Sequence, residues 1–251
     1  MEKISIVINT YNAASTLEKM LHTVVSFDEV VVCDMESKDN TVEIAKQFGC
    51  KVVTFAKENY TCCEPARNFA IQSASHEWVL VVDSDELVTP SLHDYLYEHI
   101  KKKNPEQGLY VPRKNHILNT FMKSSYPDYQ LRFFKRDCCD WPITIHSVPV
   151  IKGKVLYIPK NRIDTALIHL SRPLYVDIEC MNNYTDNELL RRDVNSVTLL
   201  ALMFKPMFRF IKSYILKGGF RLGVVGFIQA KQQAYYKFIL LSKAYEKHHK
   251  F

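Results

Sequence analysis

The amino-acid sequence predicts an α/β fold, in which a mainly parallel sheet is flanked by helices and followed by a C-terminal helical appendage. Three observations lead to this prediction. In the first half of the chain, short apolar segments alternate with helical patterns, which is typical of a parallel, doubly wound sheet. The apolar run from Trp78 to Val82 is continuous, as expected for a strand buried on both faces. Beyond residue 196, apolar residues recur at helical spacing.

The boundaries of the first elements follow from local signals. Asn12 to Thr16 supplies cap residues for a first helix, and Gly49 suits the position that follows a helix C-terminus. Pro65 is placed as a first helical residue. We expect strands at residues 4–9, 29–33, 51–55 and 78–82, with helices after Asn12, over 42–48 and from Pro65.

The later elements are predicted in the same way. The spacing of apolar residues predicts a helix that ends at Ile100, before a cationic run. Residues 108–112 and 130–135 have strand character. Between them, residues 114–127 are rich in polar and aromatic side chains, and we expect them to form a loop that faces the ligand.

The central strand ends in Asp83-Ser84-Asp85. Residues two apart in an extended chain point the same way, so both carboxylates should lie together at the carboxyl end of the strand. Ligands of open α/β sheets bind at that edge, and paired carboxylates there either repel each other or share a cation. A divalent metal that carries a phosphorylated ligand accounts for the pattern. The alternative is a polar turn, because Asp and Ser are common in turns.

Composition indicates a globular protein. The seven cysteines are odd in number and lack C-x-x-C spacing, which favours reduced thiols over disulfides or a zinc site. No signal-peptide pattern and no bilayer-spanning apolar stretch is present, so we expect a cytoplasmic protein. The net charge of the chain is +6. From Lys205 onward there are ten cations and one acid, Glu246, so this part has a charge of +9 and the rest of the chain has −3. The tail is therefore the part that would approach an anionic partner.

Four motifs stand in order in the first half of the chain, where neither G-x-G-x-x-G nor a P-loop motif is present: Ser5–Asn12, Asp34 with Ser37–Thr41, Ala66–Asn68 and Asp83–Asp85. Together they resemble the motifs of family 2 glycosyltransferases with the GT-A fold. The motifs of the second half are Tyr126–Phe134, Trp141, Ile145–His146 and Ile168–His169. They are similar to those of the lipopolysaccharide core glucosyltransferase branch of that family. That branch often carries an acid after the His of the Trp-to-His segment, where this chain has Ser147.

The resemblance implies a role for each matching residue. Asp34 would accept a hydrogen bond from a uracil-type base, with Asp39 ordering the loop beside it, and Arg67 would lie by the diphosphate. Asp83 would meet the ribose or the metal, and Asp85 would be the principal ligand of Mg²⁺ or Mn²⁺, which neutralises charge on the leaving diphosphate. The donor-binding set is Thr10, Tyr11, Asn12, Asp34, Asp39, Arg67 and Asp83, and the metal ligands are Asp85 and Asp83.

The acceptor side carries the predicted general base. Asp128 stands four residues before Arg132, a spacing similar to that of the acceptor region in family 2 enzymes. Its carboxylate would take the proton of the attacking hydroxyl in an inverting transfer. Asp140 is a weaker candidate because residues 137–140 suit a hairpin turn. Either His146 or His169 is a candidate to complete the metal site, although a buried structural histidine is the commoner case.

The expected function is transfer of a sugar from a nucleotide diphosphate, with UDP-sugar as the donor, to a glycan or lipid-linked acceptor in cell-envelope polysaccharide or lipopolysaccharide synthesis. A nucleotidyltransferase and a non-catalytic nucleotide-sugar-binding module are the alternatives, and we expect no nucleic-acid partner. Residues 1–175 would form the catalytic domain, divided into a donor part at 1–112 and an acceptor part at 113–175, and residues 176–251 the helical basic region.

The tail pattern leaves two partners open. A basic amphipathic pair of helices over 204–251 suits an anionic membrane surface, at the inner face of the cytoplasmic membrane. The same apolar residues could instead pack on the catalytic domain or on a second subunit in a homodimer. The apolar stripe is Phe204, Met207, Phe208, Ile211, Tyr214 and Ile215, and the cations on another face are Lys205, Arg209 and Lys212.

Overall fold

The computed structural model of the chain describes residues 2–58, 60, 63–142, 148–191 and 197–249. The chain divides into two compact units, of which the first comprises Met1–Asn115 with Ser125–Leu170 and the second His116–Ser124 with Ser171–Phe251. The domain boundary expected at residue 175 stays a prediction. The division into a donor part and an acceptor part stays a prediction.

The first unit contains the strands and helices that the alternating pattern predicts. Its strands are β1 Ile4–Thr10, β2 Glu29–Asp34, β3 Lys51–Thr54, β4 Trp78–Asp83, β5 Glu86–Leu87, β6 Gly108–Val111, the start of β7 Arg113–Ile117, β9 Gln130–Lys135, β10 Cys139–Asp140, β11 Val150–Ile151, β12 Val155–Tyr157 and β13 Leu167–His169. Its helices are α1 Ala14–Leu21, α2 Thr41–Gln47, α3 Glu64–Gln72 and α4 Pro90–Ile100.

The central sheet has seven strands in the order β12-β6-β9-β4-β1-β2-β3. β4, β1, β2 and β3 run parallel, while β9 is antiparallel to both of its neighbours. In this register Asn9 of β1 lies beside Asp83 of β4, and Thr10 lies beside Asp34 of β2. The predicted mainly parallel α/β fold is confirmed, and the polar ends of three neighbouring strands meet at one edge.

Both faces of the central strands are buried, which explains their uninterrupted apolar sequence. Ile6 and Ile8 of β1 belong to a core that includes Leu17 of α1, while Val7 between them packs into the core on the other face with Ala66 of α3. Successive side chains of a strand point to opposite faces, so each strand serves two layers of helix. Trp78 stacks on Phe133 across β4 and β9 with ring centroids 5.1 Å apart.

The beginning of α1 differs from the sequence prediction. Its N-cap position is Ala13, and no side chain of the segment caps the helix. Instead the Ala14 N–H donates to Asp39 Oδ2 at 3.1 Å and the Ala13 N–H to Thr41 Oγ1 at 2.8 Å. The cap is therefore supplied by the loop after β2, which ties two strand-to-helix loops together.

The prediction of a loop over residues 114–127 is also wrong in part. It contains a β-hairpin, in which β7 pairs with β8 Thr120–Phe121. The two turn residues, Leu118 and Asn119, have φ angles of 47° and 59°, as a tight hairpin turn of the primed type requires. Because neither residue is glycine, the usual sequence signal for such a turn is missing.

The second unit is mainly helical and consists of α5 Leu174–Arg191, α6 Leu199–Ile211 and α7 Gly223–His248, together with β8. The predicted break at Gly218-Gly219 is confirmed, and Gly218 has a φ of 71°. A Cβ on Gly226 would lie 1.9 Å from the Gly219 carbonyl oxygen, so the turn packs directly on α7. Within the described residues, no helix is both long and apolar enough to cross a bilayer.

Candidate functional site

Asp34 ends β2 at the sheet edge and is held in a fixed orientation. Its Oδ1 accepts from Thr10 Oγ1 at 2.9 Å and from Ser37 Oγ at 2.6 Å, and its Oδ2 accepts from the Ser37 N–H at 2.8 Å. The residue is only 2% exposed. A carboxylate positioned by three donors has little rotational freedom and retains lone pairs for one further donor.

The loop after β1 is joined to the loop after β2. Asn12 has a φ of 49°; its N–H donates to Ser37 Oγ at 2.8 Å, and its Oδ1 accepts from the Lys38 N–H at 2.8 Å. The neighbouring Tyr11 is 44% exposed, and Lys57 Nζ lies 4.6 Å from its ring centroid. With the Asp39 contacts described above, these bonds hold Thr10, Asn12, Asp34 and Asp39 near one another, and Tyr11 lies between the first two in the chain. Their expected role in donor binding stays a prediction.

Asp83 ends β4 and is bound by two guanidinium groups. Arg67 Nη2 of α3 lies 3.1 Å from Asp83 Oδ1, and Arg132 of β9 donates to both carboxylate oxygens. Burial by itself would raise the pKa of Asp83, but the two guanidinium groups, that of Arg132 foremost, hold it well below its ordinary range. The charge of Asp83 is thus balanced by protein groups. Its expected contact with ribose or metal stays a prediction.

Arg67 is buried, yet its bonding capacity is not filled. Its guanidinium carbon lies 4.6 Å from the ring centroid of Trp141. Among the described residues, neither Arg67 Nε nor Arg67 Nη1 has a hydrogen-bond partner, and the same holds for Trp141 Nε1. Buried N–H groups without a partner are costly, so the donors of Arg67 on α3 and of Trp141 after β10 are candidates to bind an anion or another acceptor.

Sequence reasoning missed the role of Glu86. This residue begins β5 and is completely buried. Its Oε1 accepts from Arg113 Nη1 at 2.8 Å and lies 3.8 Å from Arg132 Nη2, and its Oε2 accepts from the Asp83 N–H at 3.1 Å. Glu86 therefore connects the turn after Asp83 to Arg113 and Arg132. The available signal was a third acid directly after a buried strand.

Asp128, the predicted base, lies in a dense set of donors. Its Oδ2 accepts from Arg113 Nε at 3.0 Å, from Arg113 Nη2 at 2.7 Å and from Asn115 Nδ2 at 2.9 Å, and its Oδ1 accepts from Gln130 Nε2 at 3.1 Å. Burial would raise the pKa of Asp128, but the bonds from Asn115 and Arg113 lower it. Asp128 is thus ionised at neutral pH, as a base must be, although its lowered pKa weakens its pull on a proton.

The predicted metal ligand Asp85 is buried and faces a histidine. His169 Nε2 of β13 lies 3.4 Å from Asp85 Oδ2, and the other ring nitrogen, Nδ1, lies 2.9 Å from Asn115 Oδ1. Two atoms bonded to one ion at a right angle, each about 2.1 Å from it, are about 3 Å apart. The two side chains therefore fit neighbouring positions around a divalent cation. Asn115 also bonds Asp128, so it links the predicted base to this pair.

The oxygen and nitrogen atoms near Asp85 indicate which residues could hold a metal ion. Within the part of the chain that the structure describes, no cluster of three or more His, Cys, Asp and Glu side chains is arranged around one point. Oxygen from Asp85 and nitrogen from His169 leave the remaining positions of an ion to water or ligand oxygens, which is usual for sites that carry phosphates. His146, the other predicted candidate, lies outside the described residues.

Asp140, the weaker candidate for a base, is placed differently. It lies in β10, beside α3, where Asn68 Nδ2 approaches its Oδ1 at 3.4 Å. The Asn68 side chain also accepts from the Trp141 N–H at 2.9 Å and donates to the Trp141 carbonyl at 2.8 Å. Asp140 therefore belongs to the segment that orients Trp141 over Arg67.

Comparison with known proteins gives consistent results. An uncharacterised glycosyltransferase from Rickettsia felis is 26% identical over 98% of this chain and 90% of its own length. The lipopolysaccharide core biosynthesis glycosyltransferase LpsC from Rhizobium meliloti is 24% identical over 94% of this chain and 90% of its own length.

A solved structure shares the fold. The mannosyltransferase from Pyrobaculum calidifontis, in complex with GDP-Man and Mn²⁺, matches 98% of this chain and 87% of its own with a TM-score of 0.54 and 12% identity. That likeness shows the GT-A type of α/β fold. The family model described as Glycosyl transferase family 2 matches residues 5–195. The chain thus belongs to glycosyl transferase family 2.

Proposed function

We propose that this enzyme transfers a sugar, with inversion, from a UDP-sugar to a hydroxyl of a glycan or lipid-linked acceptor in the synthesis of a cell-envelope polysaccharide such as lipopolysaccharide. The observation that carries the proposal is the sheet edge where Asp34 and Asp83 end neighbouring parts of the sheet and Asp83 binds Arg67, whose Nε and Nη1 have no hydrogen-bond partner among the described residues. The name of the Rhizobium meliloti relative supports the choice of acceptor.

The donor would lie along this edge. Asp34, already oriented by Thr10 and Ser37, would accept the N3–H of the uracil base. Arg67 would donate its free Nε–H and Nη1–H to the diphosphate, because charge-assisted bonds to phosphate are strong. Asp83 would hold Arg67 and Arg132 at the correct separation and contact the ribose or the metal.

A divalent cation would be held by Asp85, with Asp83 near it and His169 as the candidate that completes the protein ligands. The mannosyltransferase of similar fold was solved in complex with GDP-Man and Mn²⁺. When bound, such an ion neutralises negative charge that develops on the departing diphosphate. Asn115 keeps the Nε2 of His169 directed toward Asp85 by occupying the Nδ1 side of the ring.

Asp128 would accept the proton of the acceptor hydroxyl as that oxygen attacks the anomeric carbon, on the face opposite the leaving nucleotide. Arg113 and Asn115 hold the carboxylate in place through Oδ2, and among the described residues Oδ1 accepts one bond, from Gln130. Oδ1 is therefore the oxygen with capacity to take a proton.

The test is a thermal-shift screen of nucleotide sugars with and without Mn²⁺, followed by measurement of UDP release. A donor at about 100 times its Kd should raise the Tm by about 5–10 °C. The shift should need the cation and disappear in Asp85→Ala. Asp94→Ala is the matched control, since Asp94 is an exposed acid on α4. Unchanged turnover in Asp85→Ala, or a shift that does not need the cation, would refute the metal role. The absence of any shift with nucleotide sugars would refute the donor proposal.

A further inference from the structure

Helix α6 has an apolar face that the other described residues of the helical unit leave exposed. The residues of this face are 50–72% exposed, and no residue of α6 is buried. They recur three and four positions apart, so they share one side of the helix. We call the following set the α6 face: Leu199, Leu200, Met203, Phe204, Met207 and Phe208.

The exposed apolar surface continues beyond the end of α6. Ile215 and Leu216 in the following turn are 55% and 70% exposed, and Phe220 and Val224 near the start of α7 are 50% and 74% exposed. So many large apolar side chains exposed over one short segment are unusual in a folded protein and indicate a surface that is covered in function.

A cationic row runs beside the α6 face. Lys205, Arg209 and Lys212 follow one another at helical spacing and line a cavity of about 470 Å³. Phe204 and Phe208 of the α6 face line the same cavity. Glu188 is the one acid among the lining residues that the structure describes, and its Oε2 accepts from the Tyr236 hydroxyl at 2.6 Å. The cavity thus combines an aromatic wall with an excess of positive charge.

The charge decides which partner suits this surface. A second copy of the chain would bring its own tail, with a surplus of +9 from Lys205 onward, against the same surplus. Like charges at that density oppose self-association. A bilayer with anionic headgroups matches both the apolar face and the cationic row. Its acyl chains can contact the apolar side chains, and its lipid phosphates can bind the adjacent cations.

We propose that the α6 face docks on an anionic lipid bilayer, and that the cavity at Lys205, Arg209 and Lys212 binds the phosphate of a lipid headgroup. Phe204 and Phe208 enter the boundary between headgroups and acyl chains. The proposal is independent of the transfer chemistry, since it concerns only the helical unit.

The test uses the full chain and co-sedimentation with phosphatidylcholine vesicles that contain about 30% phosphatidylglycerol, with pure phosphatidylcholine for comparison. The triple variant Lys205→Gln, Arg209→Gln and Lys212→Gln should lower the partition coefficient by about 10- to 100-fold. High salt should lower it for the wild type as well, because the attraction decays within a Debye length.

The matched control removes the same number of positive charges from another part of the chain, by replacement of Lys101, Lys102 and Lys103 with Gln. Those three lysines follow α4, and the two triple variants have equal net charge. The control should bind anionic vesicles nearly as well as the wild type. Equal weakening of both variants would reduce the effect to overall charge and overturn the proposed site.

The contribution of the apolar side chains is tested with the double variant Phe204→Ser and Phe208→Ser. The control is the double variant Val25→Ser and Leu190→Ser, at exposed apolar positions that are not part of the α6 face. Only the first pair should weaken vesicle binding. Light scattering that reveals a dimer, dissociated by the Phe204 and Phe208 changes, without vesicle binding would overturn the proposal. The proposal would also be overturned if inorganic phosphate at constant ionic strength raised the Tm of the protein while the protein did not bind to vesicles. Every variant should keep the wild-type thermal shift with UDP, so that failure here is distinct from failure of the proposed donor site.

Discussion

Replacement of Glu86 by Gln tests whether the cluster around Asp83 depends on a buried charge. The Glu86 carboxylate is fully buried, lies 2.8 Å from Arg113 Nη1 and 3.8 Å from Arg132 Nη2, and accepts the Asp83 N–H. Loss of one partner from a buried ion pair costs about 3–5 kcal/mol. Because Gln keeps the shape and one acceptor oxygen, we expect the lower end, about 3 kcal/mol.

For a chain of this size, 1 kcal/mol corresponds to about 2–4 °C in Tm, so Glu86→Gln should lower the Tm by about 6–12 °C. The matched control is Glu77→Gln, which makes the same chemical change in an exposed pair. Glu77 Oε1 lies 2.6 Å from Lys135 Nζ, and the Glu77 side chain is 51% exposed. Exposed pairs contribute about 0–1 kcal/mol, so this Tm should fall by no more than about 4 °C.

Calorimetry or circular dichroism during heating measures both variants in the same buffer. Equal, small losses of Tm in Glu86→Gln and Glu77→Gln would refute the reasoning, because they would mean that the buried carboxylate adds no more than a surface ion pair. A loss in Glu86→Gln that disappears in high salt would also refute it, since buried pairs are screened little by salt.

Three further predictions concern single side chains. Asp128→Asn should keep the Kd for UDP and lower kcat by about two to four orders of magnitude, because an amide preserves the shape but takes no proton; steady-state kinetics checks this, and normal turnover would move the role to Asp140. Arg67→Met should raise the Kd for UDP by about 10- to 100-fold, since two charge-assisted bonds to the diphosphate are lost; titration calorimetry measures it, and an unchanged Kd would contradict the assignment. Glu29 has a pKa below its ordinary 4.5, because bonds from Ser5 and Ser75 outweigh the effect of burial, which would raise it. The stabilisation from the Glu29 carboxylate is therefore complete above pH 4.5 and is lost as the pH falls toward the lowered pKa of the folded state. Between pH 5 and 3, the free energy of unfolding measured with denaturant should therefore depend less steeply on pH in Glu29→Gln than in the wild type. An identical pH dependence in the two proteins would contradict the prediction.

The fold could be predicted because its signals are local. The buried strands carry unbroken apolar runs, and Gly49, with a φ of 71°, stands where a helix must end. The hairpin at Leu118 and Asn119 could not, because its turn uses two positive φ angles without glycine. The cap of α1 was missed for a different reason: it comes from Asp39, on the loop after the next strand.

The positions of the site residues were predictable to the extent that they follow strands. Parallel strands that are joined through helices all end at the same edge of the sheet, so residues that follow such strands arrive there together. Asp34 and Asp83 had therefore to arrive at one edge, and the sequence alone determined this much of the site.

The partners of those residues were decided only by the tertiary structure. Arg132 reaches Asp83 from β9, and His169 reaches Asp85 from β13, across long stretches of chain. Glu86 is directed inward, where it joins two arginines, although its place after a strand suits a solvent-exposed turn equally well. Contacts of this kind leave no periodic or local signal, because they arise when distant segments close on one another. The sequence thus determined which carboxylates gather at the sheet edge, and the packing of distant strands determined which of them are bound by arginine and which face a histidine.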